Sequence, residues 1–294
     1  MLYTIENEHL VCRIDSHGCE IKSVKDKETG REYMWSGDPK YWNRTSPVLF
    51  PFVGAVKDKE YRHEGRTYNI GQHGFARDME FALLSNTDCE IWMELGESEE
   101  TMAKYPFRFR LDIGYKLVGR ELDVMWHVIN TGDRIMYFSI GAHPGFMLPR
   151  DDKAAFMLYD SKNRPVSSIR NRVFGTGGCV TDKVQEIDTL EGKLPITEHL
   201  FDGDALVLED EQLGCVEIVP DRSKEPVIRV TFTSPLVGLW SPPQKNAPFV
   251  CIEPWYGRCD MENFDGELSE REYEQMLNAG GDFRAKYSIG FVCK

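Results

Sequence analysis

The 294-residue sequence predicts an all-β protein built as a large antiparallel β-sandwich, because three kinds of pattern agree. Apolar residues alternate with polar ones along Phe107–Tyr115 and again along Leu122–Val128, and a period of two is typical of half-buried strands. Turn residues separate such runs at short intervals, as at Asn130–Asp133 before the apolar run Ile135–Ile140. Helical periodicity is scarce, so helices are expected to be few and short.

The other elements predicted from the sequence are weaker. Further strands are predicted at Leu10–Ile14, Glu90–Leu95, Val216–Val219, Ile228–Phe232 and Tyr287–Val292. Residues Glu97–Lys104 predict a short helix, whereas Glu267–Leu277 fits either an acidic helix or a loop. The stretch from 151 to 198 is rich in polar and turn residues, so we expect an excursion from the sheets rather than a second domain. One domain is therefore predicted over residues 1–294.

Composition and charge narrow the classes of partner. The formal net charge of −13 argues against a nucleic-acid surface and against an anionic membrane, since both need clustered positive charge. No apolar run approaches the roughly 20 residues of a membrane helix, and the N-terminus does not resemble a signal peptide. The eight cysteines include no Cys-x-x-Cys pair, which favours reduced thiols in a cytoplasmic protein. Both a monomer and a homodimer fit this composition.

Three short stretches suggest chemistry, and the first, Ser139–Phe146, reads Ser-Ile-Gly-Ala-His-Pro-Gly-Phe. The proline after His143 disfavours the helical region for the histidine, so we expect His143 to be extended. Gly141 and Gly145 let the backbone turn and let another molecule approach closely. Histidine can give or take a proton near neutral pH. A histidine stacked in a turn for structural reasons also fits these residues.

The second stretch, Gly71–Asp78, reads Gly-Gln-His-Gly-Phe-Ala-Arg-Asp. It places the amide of Gln72, the imidazole of His73 and the guanidinium of Arg77 in one short loop. These groups offer several hydrogen-bond donors to an oxygen-rich ligand. A plain surface loop with an Arg77–Asp78 contact is the alternative, and an exposed contact of that kind adds little stability.

The third stretch is Pro248–Gly257, in which Glu253 follows an apolar run and precedes Pro-Trp-Tyr. A carboxylate at the end of a buried strand is costly unless it is paired or functional. Trp255 and Tyr256 add flat apolar surface beside the carboxylate, and this combination suits a sugar ring, which has an apolar face and a polar rim. A structural carboxylate satisfied by backbone donors or by Arg258 is the competing interpretation.

These stretches resemble the aldose 1-epimerase (galactose mutarotase) superfamily, and they are most similar to its LacX-like branch. The resemblance rests on Gln-His-Gly-Phe-Ala-Arg at 72–77, Gly-Ala-His-Pro-Gly-Phe at 141–146 and Glu-Pro-Trp-Tyr-Gly at 253–257, with support from Trp42–Gly54 and Asp204–Leu208. The motifs follow in the family's order over essentially the whole chain. The resemblance implies a large β-supersandwich, which agrees with the alternation described above.

The resemblance also implies an activity and a set of site residues. It makes His143 the general acid and Glu253 the general base of a mutarotase, which interconverts the α and β anomers of a sugar by opening and closing its ring. The expected substrate-binding residues are His73, Arg77, Gln72, Arg44, Asp204 and Trp255. Asp202 competes with Asp204 for contact with the sugar. A small sugar is the expected partner, and the reaction requires no metal or other cofactor.

The nature of the sugar stays open in the sequence. Galactose mutarotases have a second glycine where this chain has Phe75, so galactose specificity does not follow from the motifs. Arginines in or near the first motifs can bind either the oxygens of a hexose phosphate or the hydroxyls of a free hexose; they are Arg44, Arg62, Arg66 and Arg77.

Three other functions compete with the mutarotase. A non-catalytic carbohydrate-binding or regulatory protein would keep the aromatic and arginine contacts but would need no acid–base pair. A glycoside hydrolase or lyase would use Glu253 with an aspartate such as Asp204. A metal site would combine His73, His143 and Glu253. The presence of both His143 and Glu253 in their motifs favours the mutarotase.

Overall fold

A computed structural model of the protein describes residues 1–149, 153–222 and 225–292, and most of its secondary structure is antiparallel β-strand. The first twelve strands are β1 Leu2–Glu6, β2 Leu10–Asp15, β3 Glu20–Asp26, β4 Val48–Leu49, β5 Glu60–His63, β6 Arg66–Asn69, β7 Ala82–Asn86, β8 Glu90–Gly96, β9 Phe109–Val118, β10 Glu121–Asn130, β11 Met136–Phe138 and β12 Ile140–Ala142. The next twelve are β13 Gly145–Met147, β14 Ala154–Tyr159, β15 Ser168–Phe174, β16 Val180–Asp188, β17 Lys193–Pro195, β18 Leu206–Leu208, β19 Cys215–Pro220, β20 Ile228–Phe232, β21 Leu236–Trp240, β22 Phe249–Tyr256, β23 Gln275–Leu277 and β24 Asp282–Phe291.

The helical segments are short. Helix α1 spans Glu99–Lys104. Its N-cap residue is Ser98, whose side chain accepts a hydrogen bond from the Thr101 backbone N–H in a capping box. Single turns of 3-10 helix lie at Lys57–Lys59, Ala76–Asp78, Thr176–Gly178 and Leu268–Glu270. Within the described residues, no helix is long and apolar enough to cross a membrane.

Two large sheets form the sandwich. The first has nine strands in the order β17-β14-β19-β20-β24-β10-β9-β8-β7. The second has eight strands: seven follow the order β16-β15-β18-β21-β22-β12-β4, and the eighth, β13, pairs with β22. Smaller sheets are formed by β1-β2-β3, by β5-β6 and by β11-β23.

The core lies between the two large sheets because one face of each strand is apolar. A single cluster of buried side chains contains Leu111 and Val124 of the nine-stranded sheet together with Leu239 and Ile252 of the eight-stranded sheet. Alternate residues of β22 point the other way, and Trp255 belongs to a separate cluster on the outer face. The eight-stranded sheet is therefore buried on both faces at β22, as the nearly continuous burial of that strand shows.

The structure confirms the predicted fold class and most predicted elements. The alternating run that begins at Phe107 becomes β9, and the next becomes β10, with a turn at Gly119–Arg120 between them. The five weaker strands are present as β2, β8, β19, β20 and β24. The segment Glu267–Leu277, left open between helix and loop, forms a 3-10 turn followed by β23. The expectation of one domain over residues 1–294 stays a prediction.

Two predictions about the course of the chain are wrong. The run Ile135–Ile140 is not one strand, because Ser139 separates β11 and β12, which belong to different sheets. The stretch from 151 to 198, whose first two residues lie outside the described part, is not an excursion. It supplies β14 and β17 to the nine-stranded sheet and the hairpin β15–β16 to the eight-stranded sheet. The polar residues of this stretch led to the wrong prediction because β16 is an edge strand. Six of the nine side chains of β16 are exposed.

A buried ionic network fixes the segment that follows β22. The Arg271 side chain donates through Nε to Asp260 Oδ1 at 2.6 Å and through Nη1 to Glu274 Oε2 at 2.5 Å, and all three side chains are almost fully buried. Ser139 Oγ donates to the same Glu274 oxygen at 2.8 Å. Burial raises the pKa of Glu274 to about 7. The network thus joins the loop after β22 to the residue that precedes β12.

We expect the substitution Arg271→Met to lower the free energy of unfolding by about 3–5 kcal/mol, because it leaves two carboxyl groups buried without their cation. Lys104→Met is the matched control, since Lys104 pairs with Glu100 on the exposed face of α1 and should cost at most about 1 kcal/mol. Urea unfolding of both variants measures the difference. Equal losses would contradict a specific role for the buried cation.

Candidate active site

The candidate site lies on the outer face of the eight-stranded sheet, where β12 pairs with β22. In this antiparallel pair Gly141 lies opposite Trp255, and on the other side of β22 Gly238 lies opposite Glu253. Because side chains alternate between the faces of a strand, Glu253 and Trp255 both point away from the sandwich core. His143 follows β12 directly and reaches the same face.

His143 and Glu253 form a buried pair. The imidazole Nε2 lies 3.4 Å from the carboxylate Oε2, and the side chains are only 9% and 2% exposed. The other imidazole nitrogen, Nδ1, is buried and makes no hydrogen bond to any described residue. Arg258, considered above as a partner of Glu253, instead bonds to Glu209 at 2.6 Å and to Glu272.

Burial sets the ionisation of this pair. It lowers the pKa of His143 to about 3, and the charge of Arg77 acts in the same direction. Burial raises the pKa of Glu253 well above its ordinary value, and the neighbouring charge of Asp204 adds to the effect. Both directions favour the uncharged form of each group. The two shifts thus act together toward a neutral imidazole beside a protonated carboxyl group.

A turn at residues 71–78 presents His73 to the same space. His73 has a left-handed backbone (φ 66°), its N–H donates to the Gly54 carbonyl at 2.8 Å, and its Nδ1 accepts from the Gly54 N–H at 3.0 Å. Burial and the nearby charges lower the pKa of His73 well below its ordinary value. The ring is therefore neutral with its proton on Nε2, and it lies 5.7 Å from the His143 ring, measured between centroids.

Two glycines make room for Trp255. A Cβ atom at Gly238 would lie 2.4 Å from the indole ring, and one at Gly141 would lie 2.6 Å from it. The indole Nε1 donates to the Ala142 carbonyl at 3.3 Å, which ties the ring to the backbone just before His143. Trp255 thus forms a rigid apolar floor beside Glu253.

These groups surround one cavity of about 300 Å³. Its lining includes seven of the eight residues predicted for the site, namely Gln72, His73, Arg77, His143, Asp204, Glu253 and Trp255. Asp202 does not line it and bonds to His199 instead. Arg44 does not line it either, because its guanidinium is turned to Asp78 and to the Arg77 carbonyl.

Comparisons with known proteins show the family to which the chain belongs. A sequence model of the family "Aldose 1-epimerase" matches residues 1–290. The chain belongs to the aldose 1-epimerase family. It is 30% identical over 267 residues to the chromosomal LacX protein of Lactococcus lactis subsp. lactis, and the match covers 87% of this chain and 88% of that protein.

Solved structures show the same family likeness. A galactose mutarotase related enzyme from Lactobacillus acidophilus superposes with a TM-score of 0.92 at 35% identity, over 100% of this chain and 98% of that one. A galactose mutarotase-like protein from Lactobacillus casei superposes with a TM-score of 0.92 at 28% identity, over 99% and 100%. The predicted family and its LacX-like character are confirmed.

Three aromatic residues of this epimerase-family cavity were not predicted as site residues: Trp42, Phe174 and Trp240. The Trp42 ring stacks on the His143 ring with centroids 4.6 Å apart and planes 28° apart. The Trp240 ring lies nearly perpendicular to the same imidazole, with the two centroids 5.2 Å apart. In the sequence, each of these two tryptophans stands just before a polar or proline-rich turn, and Trp42 also opens the stretch Trp42–Gly54 that supports the family resemblance.

The donor set best placed to hold a metal ion differs from the one considered above. Potential ligand atoms of His143, Cys251 and Glu253 lie within 4.8 Å of one another, and this is the only such group of three among the described residues. His73 does not belong to it. Burial raises the pKa of the Cys251 thiol well above its ordinary value, so a metal would have to displace a firmly held proton.

The substitution Gly238→Ala should displace Trp255, because the new Cβ has no space beside the indole. Overpacking of this kind costs about 1–3 kcal/mol. Urea unfolding and tryptophan fluorescence measure the change. Gly203→Ala is the control, because a Cβ there meets nothing within 4 Å; a cost no larger than that of the control would contradict the packing role of Gly238.

Proposed function

We propose that the protein is an aldose 1-epimerase that interconverts the α and β anomers of a hexose or hexose phosphate by acid–base catalysis. The observation that supports this best is the buried pair of His143 Nε2 and Glu253 Oε2, 3.4 Å apart in a cavity of monosaccharide size. An epimerase needs two groups that exchange protons with two neighbouring oxygens of one ring. Membership of the family supports the same reaction class.

The proton balance of the reaction suits a pair that holds one proton. The Glu253 carboxylate takes the proton of the anomeric hydroxyl while the bond between the anomeric carbon and the ring oxygen breaks. The ring oxygen keeps the electron pair of that bond and takes a proton from the His143 imidazolium. Rotation of the free aldehyde and closure by the reverse transfers give the other anomer.

The pKa directions favour the uncharged pair, so in this proposal the reactive carboxylate and imidazolium form only when the sugar binds. The uncharged pair, with the proton on Glu253, is also the distribution left after the ring has opened. A bound sugar donates hydroxyl hydrogen bonds to the carboxylate, and such bonds favour the charged form. Substrate binding thereby moves the proton to His143 and prepares the pair for ring opening.

The other lining residues orient the sugar in this proposal. His73 offers an Nε2–H donor, because its Nδ1 is occupied by the Gly54 N–H. Arg77 offers its guanidinium, whose Nε is buried and without a hydrogen-bond partner among the described residues. Asp204, which lines the cavity near Glu253, accepts hydroxyl hydrogens, and Trp255 contacts the apolar face of the ring.

The arginines bear on the choice between a free and a phosphorylated hexose. Arg77 is the one arginine or lysine that lines the cavity within the described residues. Arg44 lies behind it and shares its counter-ion, Asp78. Arg62 and Arg66 lie on the exposed hairpin β5–β6 and do not line the cavity. A substrate phosphate would therefore have to be bound by the Arg44–Arg77 end.

Anomer exchange measured by NMR magnetisation transfer tests the proposal. The panel is glucose, galactose and the 6-phosphates of both, each with the wild-type protein. Wild-type protein should speed the exchange of at least one sugar. Glu253→Gln and His143→Asn should each lower that rate by roughly 10²–10⁴, since each removes one positioned proton-transfer group.

His17→Asn is the matched control for the histidine variant, because the His17 side chain is exposed and does not line the cavity. Wild-type turnover in either cavity variant would contradict the role assigned to that residue. Sugar-induced chemical shifts without any exchange in the panel would favour the non-catalytic carbohydrate-binding protein instead.

The pH dependence of kcat/KM should be bell-shaped with a broad plateau. On the acid side, a second proton inactivates the pair by binding His143, whose pKa is lowered to about 3. The acid limb should therefore lie at a pH far below the pKa of roughly 6.5 of an ordinary histidine. Loss of the only proton gives the alkaline limb, which the raised pKa of Glu253 places above the ordinary range of a carboxyl group. Rates measured across the acid and alkaline range in which the protein stays folded check this, with circular dichroism as the folding control. An acid limb at the pKa of an ordinary histidine would contradict the uncharged resting pair.

A further inference from the structure

We infer that Trp42 is a positioning residue for the acid–base step, which acts through His143 by holding an indole face against the imidazole and stabilising its imidazolium form. This inference rests on the proposed function for its kinetic consequence, but the contact itself does not depend on that function.

The geometry of the contact is that of a stacked pair. The two ring centroids are 4.6 Å apart and the planes differ by 28°. An aromatic face carries negative potential and attracts a cation placed over it within about 6 Å. Trp240 approaches the same imidazole at 85° and 5.2 Å, so the two rings are not oriented alike toward His143.

Trp42 is held in place independently of His143. Its carbonyl accepts a hydrogen bond from Trp35 Nε1 at 2.9 Å. Its ring is nearly parallel to that of Phe249, with centroids 5.8 Å apart, and Phe249 in turn stacks on Trp35 at 4.4 Å. A preformed aromatic stack thus ends on the imidazole, so its orientation needs no rearrangement during the reaction.

The surroundings of His143 explain why such a contact matters. The titratable and charged groups near this imidazole are Glu253, Cys251, His73 and Arg77. Burial and the Arg77 charge both oppose protonation of His143, while ring opening requires the imidazolium as proton donor. Among these neighbours, the carboxylate of Glu253 and the face of Trp42 favour that cation, and Glu253 loses its charge as the reaction proceeds.

The kinetic test compares Trp42→Leu with Trp42→Phe. Both remove the indole, but phenylalanine keeps an aromatic face whereas leucine keeps only apolar volume. We expect kcat for anomer exchange to be about tenfold lower in Trp42→Leu than in Trp42→Phe, with KM changed much less. Equal kcat values in the two variants, or a loss confined to KM, would overturn the inference.

A second measurement does not require activity. In the Glu253→Gln background His143 titrates without its proton-sharing partner, and its ring 13C signal reports the imidazolium fraction. His143→Asn identifies the signal, and circular dichroism confirms that each variant is folded. At one pH below neutral the ratio of imidazolium to imidazole should be about tenfold lower in the Trp42→Leu variant than in the Trp42→Phe variant.

The two measurements separate the possible failures. Absence of anomer exchange by wild-type protein on every sugar would refute the proposed function, and the titration would still decide the role of Trp42. Exchange by wild-type protein with equal imidazolium ratios in the two Trp42 variants would refute the role of Trp42 alone.

Discussion

The site depends on one strand pairing, in which the three residues of β12 lie antiparallel to the end of β22. This pairing brings two motifs that are distant in the sequence onto one sheet face, with His143 and Glu253 in contact. It is anchored at both ends of β12. Ser139 bonds to the buried Glu274 just before the strand, and the Ala142 carbonyl accepts from Trp255 at its end. Since a shift of one residue in register would turn Glu253 into the core, the pairing allows no slippage.

The fold could be predicted from the sequence wherever one face of a strand is solvated. Alternation located β9 and β10, because many of their outward positions are polar or only partly buried. It failed for β16, whose polar residues belong to a sheet edge, and for its hairpin partner β15. It also failed at Ser139, because the switch of the chain from β11 to β12 is determined by partners distant in sequence. Period-two patterns record burial on one face and carry no information about which strands pair.

The candidate site was predictable to the extent that its residues are chemically unusual for their positions. A histidine before a proline and a glutamate beside an apolar run stand out in a sequence, whereas Trp42, Phe174 and Trp240 look like ordinary core residues. Arg44 is the reverse case, a residue predicted for the site that does not line the cavity. Its position near the motifs suggested a sugar contact, but its guanidinium binds the carboxylate of Asp78. Which of several neighbouring acids an arginine meets is set by tertiary packing.

Burial of the His143–Glu253 pair makes its charged form unfavourable, and substrate binding offsets this free energy in the proposed reaction. Burial favours the uncharged forms of Glu253 and His143, so forming the carboxylate and imidazolium requires free energy. In the proposed reaction, a sugar supplies hydroxyl donors to the carboxylate, and the fixed face of Trp42 supplies attraction for the imidazolium. The charges then form at the two groups that exchange protons with the sugar, in a buried setting where electrostatic attraction is stronger than in water. In this account part of the sugar's binding energy goes into creating the reactive form of the pair, which favours ring opening over tight binding of the closed ring.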